Sequence, residues 1–561
     1  EIQYIRGRHE ERYEITMGGA LAVESGRFVY RFNINDPVRL AENTPVMIEI
    51  SDSVQKGEVL ECRGDQVTVV TGKSLGKSLC QGSLTAQSWK VLEALVKRLK
   101  WIQNHISQTS PIGRLLLEGP KLAFTAGSNF HIRKGQEAAL DFSLTHPVSV
   151  IWGPPGTGKT YTMAKLALEG VHRGMKVLMV SHSNIAVDSA VLKTAQLLLN
   201  SPQINLPSRS CKTGLLPQGN LLRYGYVKSE ALKQMPSICA QNCVLEQMPE
   251  LQKQEHEITA YLQMLVQCGQ DESAEYLKYK NLQKQLNDSI KSYEKALVEK
   301  AEIVGTTVSK LTMDPVFDGL TYDMVIFDEV SMAYVPQIIA AGEKATAHLI
   351  CIGDFKQLPP IAVSAASTVL EKDIFYFLKI WDGTGTAGHP WMTMLDIQYR
   401  MHPDLADFAS RHMYACMLKT ALPVKLSASE KLKNLPWSSS AMVSIDLSGM
   451  DCACGFTKSG SRFNMMSGFI SLACAMEMSL NGENSVGIIT PYAAQARLIH
   501  RMIEDLGLKC LPSGEDSGIF CATIHQYQGA ENDIIILDTV DCFPMQRPGR
   551  LLNSENTQRL N

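Results

Sequence analysis

A glycine-rich segment at residues 153–160 constrains the fold of this chain more than any other feature. The segment lies between an apolar run at 148–152 and a helical pattern. Its glycines let the backbone curl so that consecutive N–H groups point at a phosphate, and the N-terminus of the following helix assists. In such a loop the lysine reaches the β- and γ-phosphates and the threonine hydroxyl binds Mg²⁺. The predicted phosphate-binding loop consists of Gly153, Pro154, Pro155, Gly156, Thr157, Gly158, Lys159 and Thr160.

An acidic pair at the end of a second apolar run extends this site. Residues 324–327 are apolar and lead into Asp328 and Glu329. A strand with this pattern delivers Asp328 to the carboxyl edge of the sheet, where it can hold Mg²⁺. Glu329 then lies near the γ-phosphate and can orient or deprotonate the attacking water. Many strands end in an acidic turn, so the pair alone is a weak signal. It becomes a specific signal because a phosphate-binding loop lies upstream.

Length and composition limit the possible protein classes. At ~100–200 residues per domain, a chain of 561 residues corresponds to several domains. A composition of 45% hydrophobic and 20% charged residues excludes wholesale disorder. Because no apolar run reaches ~18 residues, we expect no transmembrane helix and no membrane partner. The formal net charge is −3, so a nucleic acid would have to bind in a local groove rather than through a bulk positive field.

The cysteines and the N-terminus predict an intracellular fragment. Fourteen cysteines without a dense framework indicate reduced thiols, so we expect the protein in the cytoplasm or the nucleus. Structural thiols are the favoured interpretation, and a zinc site formed between distant segments is the alternative. The sequence begins with Glu1 and has no basic-then-apolar signal segment, which predicts an internal fragment.

Periodicity predicts the order of the structural elements. Short alternating runs in residues 1–85 predict a small β-barrel, and apolar residues at spacings of three and four from 88 to 105 predict a helix. Strand-like runs alternate with helical patterns from 146 to 395, which predicts a parallel sheet covered on both faces. A helical hairpin is predicted within 245–300. The predicted strands of a second α/β pattern lie at 442–447, 486–490, 519–523 and 534–537.

Seven motifs in this chain occur in an order that resembles the superfamily 1 helicases. Three of them, Asn-Ile-Ala-Val-Asp, Gln-Tyr-Arg-Met-His-Pro and Gln-Gly-x-Glu, resemble the Upf-like branch, which includes senataxin and other RNA and DNA helicases. The seven motifs lie at 153–160, 181–188, 328–331, 353–360, 398–403, 489–492 and 523–531. The N-terminal region is assigned only by its position, because in that branch a small barrel and a helical stalk precede the first motor domain.

The resemblance implies an α/β fold with two tandem RecA-like motor domains, each built on a parallel sheet. A small N-terminal β-barrel, a helical stalk and a helical insertion accompany them. The expected segments are the barrel at 1–85, the stalk at 86–115, the first motor domain at 116–190 and 300–395, the insertion at 191–299, and the second motor domain at 396–561. The final residues, Arg559, Leu560 and Asn561, resemble the start of a motif whose arginine follows, so the second motor domain is expected to be C-terminally incomplete.

The resemblance also implies roles for individual residues in an ATP site. Gln136 would read the adenine, although a solvated glutamine at a helix start is the alternative. Tyr399 would stack on the base, and Arg400 would reach the γ-phosphate with an always-charged, forked side chain. Gln357 would sense the γ-phosphate, and Glu531 would lie near the ribose. The predicted catalytic residues are Lys159, Asp328, Glu329, Gln357 and Arg400, and the predicted Mg²⁺ ligands are Thr160 and Asp328.

A single strand of RNA or DNA would run over the tops of both sheets. Small hydroxyl and amide side chains suit a sequence-independent grip on phosphates, although ordinary turn or cap chemistry would explain each residue alone. The predicted contacts are Ser183, Asn184, Thr306, Thr307, Thr490, Thr523 and His525.

These features predict an ATP-dependent helicase that moves along a single strand and unwinds duplexes, and the resemblance implies 5′→3′ movement. An ATP-gated nucleic-acid clamp or scaffold that does not unwind duplexes is the alternative from another class. A helicase fused to a nuclease would need a carboxylate-and-lysine cluster outside the motor, and we find none in the sequence. Regulatory protein partners are expected to bind the barrel, the insertion or segments beyond the two ends.

Overall fold

The computed structural model describes most of the chain. The described residues are 2, 12–24, 27–34, 40, 42–50, 53–63, 66–72, 75–76, 78–79, 81–105, 110–118, 132–200, 220–240, 242–243, 248–268, 273–362, 369–380, 389–433, 440–450, 452–458, 460–480, 485–508, 518–524, 526–527, 531–542 and 549. The predicted nucleic-acid contact His525 and the predicted motif start at 559–561 lie outside the described residues.

The N-terminal region is a barrel of antiparallel strands, as predicted. Its strands are β1 Arg12–Glu24, β2 Arg27–Ile34, β3 Pro45–Ile50, β4 Ser53–Arg63, β5 Gln66–Thr71, β6 Ser78–Leu79 and β7 Gly82–Ala86. Six of them pair in a closed ring in the order β2-β5-β4-β3-β7-β1, with β1 returning to β2, and β6 pairs with part of β1. The interior is filled by apolar side chains such as Ile48, Val59 and Val67. Ring closure pairs the edges that an open sheet would expose.

Two helices follow the barrel and pack on the first motor domain. They are α1 Trp89–Asn104 and α2 Pro111–Glu118. Leu95 and Ile102 lie two turns apart on α1 and are buried, in keeping with the helical spacing of the sequence. On the same helix Arg98 forms an ion pair with Glu343, with 2.6 Å between Nη2 and Oε2. This pair fixes the stalk to the body of the first motor domain.

The first motor domain is built on an eight-stranded parallel sheet. Its strands are β8 Arg133–Lys134, β9 Val148–Trp152, β10 Val177–Ser181, β11 Leu221–Arg223, β12 Ile303–Thr307, β13 Tyr322–Phe327, β14 Ala345–Gly353 and β15 Met392–Met394. The spatial order is β11-β12-β10-β13-β14-β9-β15-β8, and the pairings are parallel. Every residue of β9, β10 and β12 is buried, because separate hydrophobic clusters cover the two faces.

The helices of this domain and of the insertion occupy the chain between and after these strands. They are α3 Gln136–Ser143, α4 Lys159–His172, α5 Asn184–Asn200, α6 Glu230–Lys233, α7 Pro249–Gln267, α8 Ala274–Lys300, α9 Val308–Met313, α10 Val335–Gly342 and α11 Ile374–Phe377, with 3-10 turns at Pro236–Ile238 and Pro315–Phe317. Helices α7 and α8 form the predicted hairpin, and Lys280 on α8 donates to the carbonyl of Gly72 in the barrel at 2.7 Å.

Residues after 396 begin with small elements that contact the first sheet. These are β16 Ile397–Gln398, α12 Pro403–Met413, β17 Lys419–Thr420 and α13 Leu422–Leu432. Tyr414 and Leu418 belong to the hydrophobic core of the first sheet, although they fall within the segment assigned to the second motor domain. The domain boundaries therefore stay a prediction.

The second motor domain contains a smaller parallel sheet. Its elements are β18 Gly455–Phe456, β19 Arg462–Phe463, α14 Met465–Leu480, β20 Ser485–Thr490, α15 Ala493–Asp505, β21 Gly518–Thr523 and β22 Ile534–Leu537. The sheet order is β21-β20-β22, and α14 and α15 cover one face of it. The strand predicted at 442–447 was wrong: this segment is irregular and pairs with no described strand, and Met442, Val443 and Ile445 are about half exposed. No described helix is long and apolar enough to cross a membrane.

Candidate functional site

The phosphate-binding loop joins the carboxyl end of β9 to the start of α4. Gly158 adopts φ 80°, a left-handed conformation that glycine takes without strain. A Cβ added at Gly153 would lie 2.5 Å from Cγ of Lys159, so only glycine lets this lysine cross the loop so closely. The ammonium of Lys159 donates to the Gly153 carbonyl at 3.0 Å, and the hydroxyl of Thr157 donates to the Pro154 carbonyl at 2.7 Å. The loop is therefore curled around its lysine, with Thr160 in the first turn of α4.

The acidic pair lies at the end of β13. In the sheet, β14 alone separates this strand from β9, which leads into the phosphate-binding loop. Asp328 is buried, and its Oδ1 accepts the backbone N–H of Glu329 at 2.9 Å. Burial raises the pKa of Asp328 to about 7, the charge of Glu329 adds to this, and Lys159 opposes it. Glu329 has φ 56°, and its Oε2 is buried without a hydrogen-bond partner among the described residues.

This carboxylate arrangement fits a divalent cation. Mg²⁺ prefers oxygen ligands and is usually held by one or two carboxylates together with substrate phosphates. A buried Asp328 with a raised pKa and an unpartnered oxygen on Glu329 provide that chemistry, and the Thr160 hydroxyl belongs to the adjacent helix start. A bound cation would offset the mutual repulsion of the two carboxylates.

Asp354 organises the site and was missed by the sequence analysis. It is fully buried just after β14, and its carboxylate accepts from Trp152 Nε1 at 2.9 Å, from the Tyr414 hydroxyl at 2.7 Å and from Gln357 Nε2 at 3.0 Å. Trp152 directly precedes the phosphate-binding loop, so Asp354 ties the predicted γ-phosphate sensor Gln357 to that loop. The signal for Asp354 was an acidic residue that follows an apolar run after one glycine, Gly353.

The segment that carries the predicted base-stacking and arginine residues lies against the phosphate-binding loop. The backbone N–H of Tyr399 donates to the Gly156 carbonyl at 2.8 Å, and the Tyr399 ring is about half exposed. Buried Gln398, also missed by the sequence analysis, holds the turn because its Oε1 accepts the N–H of Arg400 at 2.8 Å. The Arg400 guanidinium forms an ion pair with Glu531. The structure thus brings Tyr399, Arg400 and Glu531 together at the loop.

Gln136 lies at the other side of the same loop. It begins α3, and its Nε2 donates to the carbonyl of Thr157 at 3.0 Å. An added Cβ at Gly158 would come within 2.7 Å of this nitrogen, so the two residues are in direct contact. The contact places Gln136 beside the predicted nucleotide, and its adenine-reading role stays a prediction.

The predicted nucleic-acid contacts are mostly buried. Their fractional exposure does not exceed 6% at Asn184, Thr306, Thr307, Thr490 and Thr523, whereas Ser183 is half-buried. Thr307 caps α9, the Ser183 hydroxyl accepts the N–H of Ala186 at 3.2 Å, and Thr523 bonds to Gln526 at 3.0 Å. These are the turn and cap interactions named as the alternative. The role of these residues in binding a strand therefore stays a prediction.

Comparison with known proteins identifies the family of this chain. Two family models, each described as an AAA domain, match residues 131–365 and 385–561. The relatives found include regulator of nonsense transcripts 1 homologues. The chain belongs to the Upf-like superfamily 1 helicases. Among the described residues of this helicase-family chain, no group of three or more His, Cys, Asp or Glu side chains is arranged to hold a metal ion, so they offer no zinc site.

Three relatives illustrate how this Upf-like chain compares with longer proteins. The DNA polymerase alpha-associated DNA helicase A of Saccharomyces cerevisiae is 25% identical over 89% of this chain and 74% of its own length. The regulator of nonsense transcripts 1 homolog of Drosophila melanogaster is 26% identical over 79% of this chain and 34% of its own. The DNA-binding protein SMUBP-2 of Mesocricetus auratus is 25% identical over 73% of this chain and 40% of its own length. The chain therefore spans well under half of the last two relatives.

Proposed function

We propose that this chain is an ATP-driven motor that moves along single-stranded RNA or DNA and unwinds duplexes. One observation carries the proposal: the segment bearing Arg400 is hydrogen-bonded to Gly156 of the phosphate-binding loop, while the Arg400 guanidinium reaches Glu531 beside the second sheet. Two adjacent residues, Tyr399 through its backbone and Arg400 through its side chain, thereby connect the phosphate-binding loop to the segment beside the second sheet. Such a connection is what a nucleotide needs in order to change the relative position of two domains.

The ATP cycle would use this connection as a switch. A γ-phosphate held by Lys159 offers Arg400 a more highly charged partner than Glu531, so ATP would draw the guanidinium towards the loop. ATP would then favour the closed arrangement of the two domains, since a ligand shifts an equilibrium only by its differential affinity for the two states. Hydrolysis would remove the γ-phosphate and with it the preference for the closed arrangement. Repeated closing and opening moves the strand, in the 5′→3′ direction by family resemblance.

Hydrolysis would be carried out by groups already close to the loop. Lys159 would hold the β- and γ-phosphates, and Glu329 would orient and deprotonate the attacking water. Mg²⁺, when held by Thr160 and Asp328, would neutralise charge on the phosphates. Gln357, positioned by Asp354, would sense the γ-phosphate. Regulatory proteins that bind the barrel or the insertion also belong to this proposal.

Glu329→Gln tests the hydrolytic role. The substitution keeps the size of the side chain and removes the base, so kcat should fall by about 10²–10⁴ while binding of a fluorescent ATP analogue is retained. The exposed Glu371→Gln is the matched control and should keep wild-type turnover. ATPase activity is measured with and without oligouridine or oligothymidine. Wild-type turnover in Glu329→Gln would remove this residue from the mechanism.

A strand-displacement assay separates the motor from the clamp. A motor should show ATPase activity that single strands stimulate, together with displacement of a labelled strand from a tailed duplex. ATP-dependent binding without displacement would favour the clamp. Duplexes with a tail on the 5′ or the 3′ side test the direction of movement.

A further inference from the structure

The barrel covers part of the carboxyl edge of the first sheet. Glu42 and Asn43, called the barrel loop below, lie just before β3 and bond to residues at the ends of β10 and β12. Those strand ends carry three of the predicted nucleic-acid contacts, namely Asn184, Thr306 and Thr307. The loop therefore occupies a surface that the proposed function assigns to a nucleic-acid strand.

Glu42 binds at the start of α5 as an anion would. Its Oε2 accepts the backbone N–H of Asn184 at 2.7 Å and the Asn184 side-chain amide at 2.8 Å, and Lys228 forms an ion pair with its Oε1. The N-terminus of a helix favours negative charge because its N–H groups and its dipole point at the ligand. A backbone N–H, a side-chain amide and an ammonium are also the donors that proteins use for nucleic-acid phosphates.

The amide of Asn184 is held in the donating orientation. Buried Arg223 donates from Nη2 to Asn184 Oδ1 at 2.8 Å, which turns the NH₂ group of Asn184 towards Glu42. Arg223 is itself fixed because its Nε donates to Asp188 at 2.7 Å. This anion-binding arrangement is thus built from within the first motor domain, and Glu42 only fills it.

The contact that Asn43 makes next to Glu42 indicates that the barrel loop can separate from the first sheet. Asn43 donates from Nδ2 to the Thr307 hydroxyl at 3.3 Å, but its own Oδ1 is buried without a hydrogen-bond partner among the described residues. The hydroxyl of fully buried Thr306 is unpartnered in the same way. Unsatisfied buried polar atoms weaken an interface because their contacts with water are lost without replacement. Asn43 also has φ 64°, which adds backbone strain.

We infer that Glu42 is an internal competitor for nucleic-acid phosphate at the start of α5, so that the barrel loop must lift before a strand can bind there. This inference rests on the proposed function, because it assumes that the same edge receives RNA or DNA. Binding is weakened by the fraction of molecules in which the loop is closed, since the apparent Kd is the intrinsic Kd divided by the open fraction.

Glu42→Gln tests the competition. Glutamine keeps the shape and an acceptor oxygen but removes the charge that Lys228 and the helix start attract, so the apparent Kd for labelled oligouridine or oligothymidine should fall about tenfold. The matched control is Glu49→Gln, which breaks an ion pair within the barrel, to Arg12 at 2.8 Å, and leaves the contacts between barrel and motor in place. The control should change the Kd by less than about twofold. The two oligonucleotides show which nucleic acid is preferred.

Hydrogen–deuterium exchange of the unmutated chain provides a second readout that does not depend on a variant folding. Adding oligonucleotide should increase exchange in the barrel peptide containing Glu42 and decrease it at the start of α5. Equal affinities of wild type and Glu42→Gln, with no change of exchange in the barrel peptide, would overturn the competition while leaving the proposed function standing. Absence of oligonucleotide binding by every variant, with or without an ATP analogue, would instead refute the proposed function and the competition together.

Discussion

Two stretches of the same sheet edge contrast in what lies over them. The ends of β9 and β13 carry Lys159, Asp328 and Glu329, whose charged groups converge on one small region. The ends of β10 and β12 carry Asn184 and Thr307, whose polar groups already bond to the barrel. The first stretch, called the ATP stretch below, is arranged to receive a ligand directly. The second, called the barrel stretch, already holds a carboxylate supplied by the chain itself.

The contrast shows that the type of residue at a strand end does not reveal whether a ligand can reach it. At the ATP stretch burial raises the pKa of Asp328, the charge of Glu329 raises it further, and a bound cation would oppose both effects. At the barrel stretch the charge of Glu42 is matched by Lys228 and by the start of α5. Access therefore depends on contacts between distant segments.

The largest expected effect belongs to the residue that links the ATP stretch to the second motor domain. Arg400→Ala should lower kcat by about 10³ or more, because an arginine at the transferring phosphate stabilises charge in the transition state. Arg400→Lys should recover little, because lysine lacks the planar fork. The exposed Arg411, paired with Asp407 on α12, is the matched control, and Arg411→Ala should keep wild-type kcat. A kcat for Arg400→Ala within tenfold of wild type would contradict the assigned role.

The strands that carry the ATP stretch could be predicted from the sequence because their determinants are local, whereas the roles of its residues stay predictions. The phosphate-binding loop and the acidic pair each follow an apolar run that folds as a buried strand, and the loop's glycines set its backbone. The partner of Asn184 could not be predicted, since Glu42 is 142 positions away and belongs to a different domain. The hydrogen bond between Tyr414 and Asp354 could not be predicted either, since 60 positions separate the two residues. Short-range patterns specify a strand end but not what packs over it.

The second-largest effect should come from the buried ion pair beneath the barrel stretch. The side chains of Arg223 and Asp188 are 0% and 2% exposed and lie 2.7 Å apart. Arg223→Met leaves Asp188 buried without its charge partner, which should cost about 3–5 kcal/mol of unfolding free energy. Arg173→Met is the control, because the exposed Arg173–Glu169 pair should contribute less than about 0.5 kcal/mol. Urea unfolding followed by far-UV circular dichroism measures both. Similar losses in the two variants would mean that the barrel stretch does not depend on this internal scaffold.

The smallest effect tests whether the ATP stretch also depends on a distant contact. Tyr414→Phe removes one of the three side-chain donors to buried Asp354 and leaves those of Trp152 and Gln357 in place. A hydrogen bond to a charged group contributes about 1.5–3 kcal/mol, so the unfolding free energy should fall by roughly 1.5 kcal/mol. A modest fall in kcat with little change in the KM for ATP should accompany it, because Gln357 would be less firmly positioned. The exposed Tyr376→Phe is the matched control and should change neither. If the two variants behave alike, Asp354 does not transmit position from Tyr414 to Gln357, and the ATP stretch is organised by its local sequence alone.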